Sequence, residues 1–528
     1  MPGKNKNRED SYRPYEDEEQ FEDLIMPEKG AGKTALKGGM VSFLGKAVLT
    51  VHVCLAVLAG LFLYKSGYLP SAYLAAACGA LVAMVLVTLP FHLGKGNGSR
   101  IMGMIVSLLL CLVIGVGIRY LIKINSALNR ITTQPQELNT FVVVVRTEDP
   151  AQTMVDAAEY SFAVSRTEPE GRLDEFQAVL GPAAGNDELL MVSYDSPADC
   201  AAAVLDQKTQ AAIYNEGYTA TLEEMIEDYS DKVRILYRFD LTQMPEEPAE
   251  NGRIPSVKVP FTVYISGIDV DGPITTTSRS DVNIIMAVNP DTHKIILTTT
   301  PRDYYVVIPG VSGEQRDKLT HAGIYGIRAS MDTLEELYKV PMDYFIRVNF
   351  TSLITIVDAL GGVDVYSEYA FSSRNSSFQA GMNHLNGEQA LDFSRARYNF
   401  ASGDNQRGKN QEAVLTGIIN KVTSPEILLH ADDLIETAAS CSQTSVSRDE
   451  ISYLVRKQLQ EGSKWDVVSQ AATGTGDSQP TYSMGSLRLY VMWPDEEAVE
   501  SLSGKIKDLL DLKDWTPEKK TDKERKQS

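Results

Sequence analysis

The most hydrophobic part of the chain lies near its N terminus, in three uninterrupted stretches. They cover about residues 39–64, 70–93 and 101–122. Each is about 20 residues or longer, the length an α-helix needs to cross the hydrocarbon core of a membrane. A secretory signal peptide is the competing interpretation, but three such stretches after a charged segment of 38 residues are not typical of one. We therefore predict three transmembrane helices.

The positive charges that flank these stretches predict how the chain crosses the membrane. Lys33 and Lys37 precede the first stretch, and Lys95 and Arg100 lie between the second and the third, whereas the other loop offers only Lys65. Lysine and arginine concentrate on the cytoplasmic side of membrane proteins. The N-terminal tail, residues 1–38, is then cytoplasmic and, from its composition, disordered. We expect everything after the third stretch to lie on the outer face of the cell membrane.

Beyond the membrane region, short apolar runs alternate with helix-like segments in two successive regions. Residues 123–242 open with the β-branched run 141–146, which is typical of a buried strand, and the alternation that follows predicts an accessory α/β domain. Proline, glycine and glutamate mark residues 243–256 as a linker. Residues 257–425 predict a second α/β domain. Its strands are expected near 260–266, 282–288, 295–300 and 344–348, and its helices near 327–338 and 350–360.

The last part of the chain is predicted to be an extension of this second domain. Residues 426–512 contain two amphipathic helices, a strand near 487–492 and a further helix from Glu496. We expect them to pack back on the second domain. Residues 513–528 form a charged tail of the kind that is usually solvated.

Net charge and cysteine content exclude two classes of function. The formal net charge is −20, which argues against a nucleic-acid-binding protein, because a phosphate-binding surface usually leaves a basic excess. Three of the five cysteines fall in the apolar stretches, and their spacing fits no zinc site. Cys200 and Cys441 are far apart in the sequence, and we do not expect them to form a disulfide.

The informative chemistry is a concentration of arginine and aspartate at predicted strand ends of the second domain. The residues are Asp269, Arg279, Asp281, Arg302, Arg395, Arg397, Asp404, Arg407 and Gln411. Two carboxylates near neighbouring strand ends can share Mg²⁺, and guanidinium groups match the geometry of phosphate. Ordinary surface ion pairs are the alternative for any single pair. Because four arginine-bearing segments lie beside strand ends, a pyrophosphate held by arginines and a metal is the simplest ligand that fits.

Four collinear segments of this region resemble the catalytic domain of the LytR-CpsA-Psr phosphotransferases. They read RSDVNIIMAVNPDTHKIILTTTPRDYYVVIPG, DKLTHAGIYG, PMDYFIRVNFTSLITIVDALGGVDV and LNGEQALDFSRARYNFASGDNQRGKNQ. The three apolar stretches followed by an accessory unit are similar to the CpsA-like branch of that family. The resemblance implies an α/β catalytic domain with a central mixed sheet flanked by helices. It also implies transfer of a glycosyl-phosphate polymer from undecaprenyl pyrophosphate to a peptidoglycan hydroxyl, C6 of N-acetylmuramic acid.

By position in these motifs, the resemblance implies a role for each candidate. A Mg²⁺ (or Mn²⁺) ion would be held by Asp269 and Asp281. The pyrophosphate would be bound by Arg279, Arg302, Arg395, Arg397, Arg407 and Gln411. Catalysis would rest on Arg302, Arg395, Arg397 and Asp404. Asp404 is the candidate general base, with capping of the following helix as its alternative role. Many relatives carry a further arginine where this chain has Asn410.

Two other functions remain open at the level of sequence. One is an envelope-linked attenuator of transcription, although the predicted topology leaves only a short acidic tail and one small loop in the cytoplasm. The other is a non-catalytic protein that binds polyprenyl-linked glycans. The expected partners are the lipid-linked glycopolymer, peptidoglycan, membrane lipid and assembly proteins of the capsule or wall polymer, with no nucleic acid. Whether the polymer is capsule or teichoic acid, and whether pyrophosphatase activity accompanies transfer, does not follow from the sequence.

Overall fold

The structure of the protein is a computed structural model. It describes residues 31–132, 137–169, 171–243, 255–268, 274, 276–397, 404–424 and 431–512. Most of the predicted N-terminal tail, most of the predicted linker and the C-terminal tail lie outside the described residues. The chain separates into two compact units, residues 1–121 and 122–528.

The first unit consists of long apolar helices. In the part of the chain that the structure describes, they are α1 (Ala31–Ser66), α2 (Ser71–Leu93) and α3 (Asn97–Thr132), the last of which runs on into the second unit. All three are long and apolar enough to cross a membrane, as predicted. Many of their large apolar side chains are exposed, among them Leu61, Leu112 and Val116. Such a surface would be unfavourable in water, and it suits contact with lipid, so the helices are suited to anchor the protein in a membrane.

The second unit begins with the accessory α/β domain. Its elements are β1 (Glu137–Arg146), β2 (Ser161–Ser165), α4 (Arg172–Ala184), β3 (Leu190–Tyr194), α5 (Pro197–Leu205), β4 (Ala211–Asn215), α6 (Thr219–Met225), α7 (Tyr229–Lys232) and β5 (Val233–Gln243). The strands form one sheet in the order β3-β2-β4-β1-β5. The apolar run predicted as a strand lies in β1, which is antiparallel to β4 and β5 and fully buried from Phe141 to Val145. Consecutive residues of this run pack into the two cores on opposite faces of the sheet.

The catalytic domain predicted from the sequence is built on a six-stranded mixed sheet. Its first half contains β6 (Phe261–Ile268), β7 (Ser280–Asn289), β8 (Lys294–Thr300), β9 (Tyr305–Val307), β10 (Arg316–Lys318), α8 (Leu319–Ala322), α9 (Ile327–Tyr338), β11 (Tyr344–Asn349) and α10 (Phe350–Ala359). Then follow β12 (Val363–Ser367), β13 (Phe371–Ser373), β14 (Ser376–Phe378), β15 (Gly381–Leu385), α11 (Gly387–Arg395) and α12 (Asp404–Val422). The sheet order is β16-β11-β6-β7-β8-β17. The strands predicted from apolar runs form the centre of this sheet. Both faces of the sheet are covered there, which is why each central strand is a continuous apolar run.

Both edge strands of this sheet come from beyond residue 425. The remaining elements are α13 (Ala431–Cys441), β16 (Ser442–Thr444), α14 (Arg448–Glu461), β17 (Asp466–Ala471), β18 (Gly474–Pro480), β19 (Arg488–Pro494) and α15 (Glu496–Leu510). β16 is antiparallel to β11, and β17 is parallel to β8. Val499, Leu502 and Ile506 of α15 enter the core on one face of the sheet. Residues 426–512 are therefore part of the sheet domain itself, where the sequence predicted an extension.

The accessory domain contacts the sheet domain through both apolar and polar groups. Ile324, Met484 and Leu489 of the sheet domain pack into the core on one face of the accessory sheet. The Tyr218 hydroxyl donates to the Tyr325 hydroxyl at 2.7 Å, and the Thr277 amide donates to the Leu138 carbonyl at 3.0 Å. Cys200 and Cys441 are both free cysteines in the structure.

Candidate functional site

A cavity of about 420 Å³ opens at one end of the central sheet. It is lined by Asp281, Val282, Arg302, Phe350, Ser372, Ser373, Arg374, Arg395, Arg397, Arg407 and Gln411. A narrow cleft of about 20 Å³ adjoins it and shares four of these residues. Because β7 and β8 are antiparallel, the start of β7 and the end of β8 meet at this end of the sheet. The structure thus brings together six of the residues singled out from the sequence.

Asp281 and Arg302 form the base of the cavity. An Arg302 Nη1 donates to Asp281 Oδ2 at 2.8 Å, and the Thr320 hydroxyl donates to Asp281 Oδ1 at 3.0 Å. Burial raises the pKa of the Asp281 carboxyl, but the charges of Arg302 and Arg279 and the Thr320 hydrogen bond outweigh it, so the pKa lies below its usual range. Asp281 is therefore ionised at neutral pH, and it holds the Arg302 guanidinium in one orientation.

Arg395 and Arg397 come from the end of α11. The helix starts with a capping box between Asn386 and Gln389 and ends at Arg395, after which Ala396 takes an extended conformation. The guanidinium carbon of Arg395 lies 3.6 Å from the ring centroid of Phe350, the first residue of α10. A break in the helix between two arginines allows both side chains to reach the cavity. Stacking on Phe350 limits the rotation of Arg395.

Arg407 and Gln411 lie one turn apart on α12 and line the same side of the cavity. The helix packs directly on β8, because Gly408 leaves room for Thr299: a Cβ at Gly408 would lie 3.0 Å from a Thr299 methyl group. The amide and hydroxyl of Thr299 donate to Glu412 Oε1 at 3.1 and 2.7 Å. Burial raises the pKa of Glu412 to about 8, with Thr299 acting in the opposite direction. At neutral pH this carboxyl is therefore mostly protonated.

Asn410 lies where the family resemblance implied an arginine in many relatives. It is buried, and its side chain donates to the Phe393 carbonyl at 3.1 Å and accepts from Gln406 at 3.2 Å. Asn410 therefore joins α12 to the last turn of α11. It serves the packing of the two helices that carry the arginines.

Three predicted site residues are not seen at the cavity. Asp269 lies outside the described residues, and Asp404 begins α12 but its side chain is likewise not described. Arg279 is absent from the lining of the cavity as described. Its guanidinium donates to Thr221 of the accessory domain at 3.4 Å and lies 3.7 Å from Glu224. Arg279 therefore affects the site through the pKa of Asp281 and joins the two domains.

Five residues of the described cavity lining were not predicted as site residues, and two of them, Phe350 and Arg374, bear on its chemistry. Phe350 was assigned only to a helix, and Arg374 lies at the tip of the short hairpin β13–β14. The hairpin reads FSSRNSSF, in which polar residues separate two phenylalanines, so no hydrophobic pattern draws attention to the arginine. The only signal is a tip of arginine and asparagine between serines, which is typical of a turn.

Among the described residues, one carboxylate at the cavity is placed so that it could bind a metal ion. In the described part of the chain, no group of three histidine, cysteine or acidic residues could hold a metal ion, and Asp281 is the one carboxylate in the lining of the cavity. Its ionised oxygens each accept one hydrogen bond and keep capacity for another contact. Mg²⁺ is commonly held by one or two carboxylates together with substrate phosphates. Asp281 is suited to such a role.

Comparison with known proteins identifies the family of the chain. The polyisoprenyl-teichoic acid–peptidoglycan teichoic acid transferase TagU of Enterococcus faecalis is 36% identical over 197 residues, which are 37% of this chain and 64% of that protein. The protein of the same name from Bacillus subtilis is 32% identical over 256 residues, 48% of this chain and 79% of that protein. The crystal structure of B. subtilis TagU aligns with 50% of this chain and 99% of that one, at 30% identity and a TM-score of 0.38.

A family model provides the widest match. The model of the LytR_cpsA_psr family matches residues 226–498, more than half of the 528 residues. The match runs from the end of the accessory domain to the start of α15, so it takes in both edge strands of the central sheet. The chain therefore belongs to the LytR_cpsA_psr family.

Proposed function

We propose that the protein transfers a glycosyl-phosphate polymer from a polyprenyl pyrophosphate carrier to a hydroxyl group of peptidoglycan, which we take to be C6 of N-acetylmuramic acid. The main support is that one cavity is lined by several arginines and by the ionised Asp281. The arginines are Arg302, Arg395, Arg397 and Arg407. Guanidinium groups bind phosphate oxygens bidentately, and a pyrophosphate diester presents several such oxygens. The names of the two TagU relatives describe the same class of reaction.

The reaction that we propose is a displacement at the phosphorus next to the glycan. The acceptor hydroxyl oxygen forms a bond to that phosphorus, and the bond from the phosphorus to the bridging oxygen breaks. The products are a phosphodiester between polymer and peptidoglycan, and polyprenyl monophosphate as the leaving group. The proton of the hydroxyl passes to a base, for which Asp404 remains our candidate.

The arginines stabilise the charge that develops in this step. Negative charge builds up on the bridging oxygen, and donors already fixed in the cavity need no reorganisation to bind it. Arg302 is held by Asp281 at 2.8 Å, and Arg395 is stacked on Phe350. A Mg²⁺ ion bound by Asp281 and Asp269 would neutralise part of the phosphate charge. If water takes the place of the acceptor hydroxyl, the same site would hydrolyse the pyrophosphate.

The membrane helices agree with a lipid-linked donor. We propose that the helices anchor the protein with its N terminus in the cytoplasm and the second unit outside, where peptidoglycan is found. A donor embedded in the same membrane would then reach the site by lateral diffusion. Proteins that assemble the wall polymer or capsule would be the natural partners.

The test is a transfer assay with the full-length protein in detergent. The substrates are a polyprenyl-pyrophosphate glycan and a soluble peptidoglycan oligomer, and the product is polymer bound to the oligomer. We expect transfer with Mg²⁺, loss of transfer in excess EDTA, and a decrease of roughly 10²–10³-fold in kcat for Arg302→Ala. Arg166→Ala is the matched control, because Arg166 is an exposed arginine of the accessory domain paired with Asp195. A folded wild-type protein that binds the lipid without transferring polymer would refute the proposal.

A further inference from the structure

The hairpin β13–β14 holds its tip rigidly against the cavity. The rings of Phe371 and Phe378 pack on Phe393 of α11, with ring centroids 5.4 and 5.1 Å apart. The Ser376 hydroxyl donates to Asp392 of the same helix at 2.7 Å. Isolated two-stranded hairpins are marginally stable in water, so these contacts fix the position of the tip.

Arg374 sits at that tip in a conformation that disfavours it. Its φ is 50°, in the left-handed region that glycine and asparagine adopt more readily than arginine. The side chain is exposed and lines the cavity, and among the described residues its guanidinium forms no ion pair. An arginine kept at a costly backbone position, with no carboxylate partner in the described part of the chain, points to a ligand.

The charge of the cavity exceeds what a pyrophosphate needs. Five arginines and one aspartate of the described lining leave a formal charge of +4. The proposed Mg²⁺ at Asp281 would add further positive charge. A pyrophosphate diester brings about two negative charges, one for each phosphate. Roughly two or more positive charges then remain for a further anionic group.

We propose that Arg374 binds a second anionic group of the substrates, a phosphodiester or a carboxylate, beside the pyrophosphate. This inference rests on the proposed function and deepens it. The group has two possible sources with the same chemistry: an anionic substituent of the donor glycan or a peptide carboxylate of the peptidoglycan acceptor. Arg374 thereby makes the site selective for charged over neutral substrates.

The test compares Arg374→Gly and Arg374→Lys with the wild-type full-length protein in the transfer assay. Glycine suits the left-handed position, so the hairpin should fold, with a melting temperature not more than about 2 °C below that of wild type. We expect the KM of one substrate to rise about 10- to 100-fold in Arg374→Gly, with kcat within about twofold, because a charged hydrogen bond is lost on binding. Arg374→Lys should recover much of the affinity.

Two arms identify the source of the anion. In the first, the donor carries a neutral glycan; in the second, the acceptor has its peptide carboxylates amidated. The arm that removes the partner of Arg374 should make wild type and Arg374→Gly equal in KM. Equal KM values of the two proteins for every charged substrate, or a rise that persists in both neutral arms, would overturn the inference. Absence of transfer by wild type would instead overturn the proposed function.

Discussion

Replacing Glu412 by glutamine should make the stability of the second unit less dependent on pH. Glu412 is 2% exposed, and burial raises its pKa to about 8 from an ordinary value of 4.5. Between these values the folded protein holds a proton that the unfolded chain releases. The contribution of the protonated Glu412 carboxyl to the free energy of unfolding is therefore fully present below pH 4.5 and is lost as the pH rises towards 8.

The size of the effect follows from the same linkage. A single group that binds a proton only in the folded state lowers the free energy of unfolding by up to about 1.4 kcal/mol for each pH unit. Between pH 5.5 and 7.5 we expect a loss of about 2 kcal/mol that Glu412→Gln lacks. Glutamine keeps an oxygen that can accept the hydrogen bonds from Thr299. The variant should therefore gain stability relative to wild type as the pH rises, by about 4–8 °C in melting temperature over this range.

Tryptophan fluorescence is the suitable assay, because the tryptophans of the chain, Trp465, Trp493 and Trp515, all lie in the second unit. Thermal unfolding of the full-length protein in detergent would be followed at several pH values between 5 and 9. Glu336→Gln is the matched control, since it removes an exposed glutamate. Parallel curves for wild type and Glu412→Gln at all pH values would show that the carboxyl is ionised in the folded protein and would contradict the raised pKa of Glu412.

Two further substitutions test the packing that supports the arginines. Gly387→Ala would place a Cβ on the carbonyl oxygen of Ile354, so it should push α11 away from α10. We expect the free energy of unfolding to fall by about 1–3 kcal/mol and the rate of transfer to fall as well. Gly504→Ala is the control, because Gly504 lies in another helix with open space around it, and it should have neither effect. Unchanged activity in Gly387→Ala would show that the position of α11 is not critical. Phe393→Ala should cost about 3–5 kcal/mol and loosen the hairpin β13–β14, measured by melting temperature and by proteolysis within the hairpin. The exposed Tyr366→Ala is its control, and equal melting temperatures of the two variants would contradict the packing described.

The centre of the fold could be predicted because its strands are buried on both faces. Consecutive residues of β7 enter different cores: Ile284 packs on one face of the sheet and Ile285 on the other. A strand of this kind is a continuous apolar run, which is visible in the sequence. The helices α9 and α10 could be predicted from the helical spacing of their apolar residues. Their predicted bounds agree with the structure to within one residue.

The edges of the sheet left no comparable signal. β16 has three residues, Ser442–Thr444, and β17 is partly exposed along its whole length. Their pairing depends on contacts with distant parts of the chain, such as the Thr444 hydroxyl with the Phe345 carbonyl at 2.7 Å. Short, half-exposed strands carry too few apolar residues to show a period, so the sequence could not reveal that residues after 425 complete the sheet.

The candidate site was predictable where arginine or aspartate lies beside a strand end. Asp281 was found at the start of one predicted strand and Arg302 after the end of the next, and Arg395 and Arg397 were found from their R-x-R spacing. Arg279 shares the pattern but lies against Thr221 and Glu224, because the accessory domain approaches from a remote part of the sequence. Arg374 lacks the pattern, since its hairpin is polar, and only the fold brings it to the cavity.

The proposed displacement predicts a specific lipid product, polyprenyl monophosphate, which can be measured together with the polymer on peptidoglycan. The full-length protein would be incubated with polyprenyl-pyrophosphate glycan, peptidoglycan oligomer and Mg²⁺, and both products quantified by mass spectrometry. We expect one polyprenyl monophosphate to be released for each polymer joined to peptidoglycan through a phosphodiester, and both products to form roughly 10²–10³-fold more slowly with Arg302→Ala. Binding of the donor by folded wild-type protein, without release of the monophosphate, would contradict the proposed transfer.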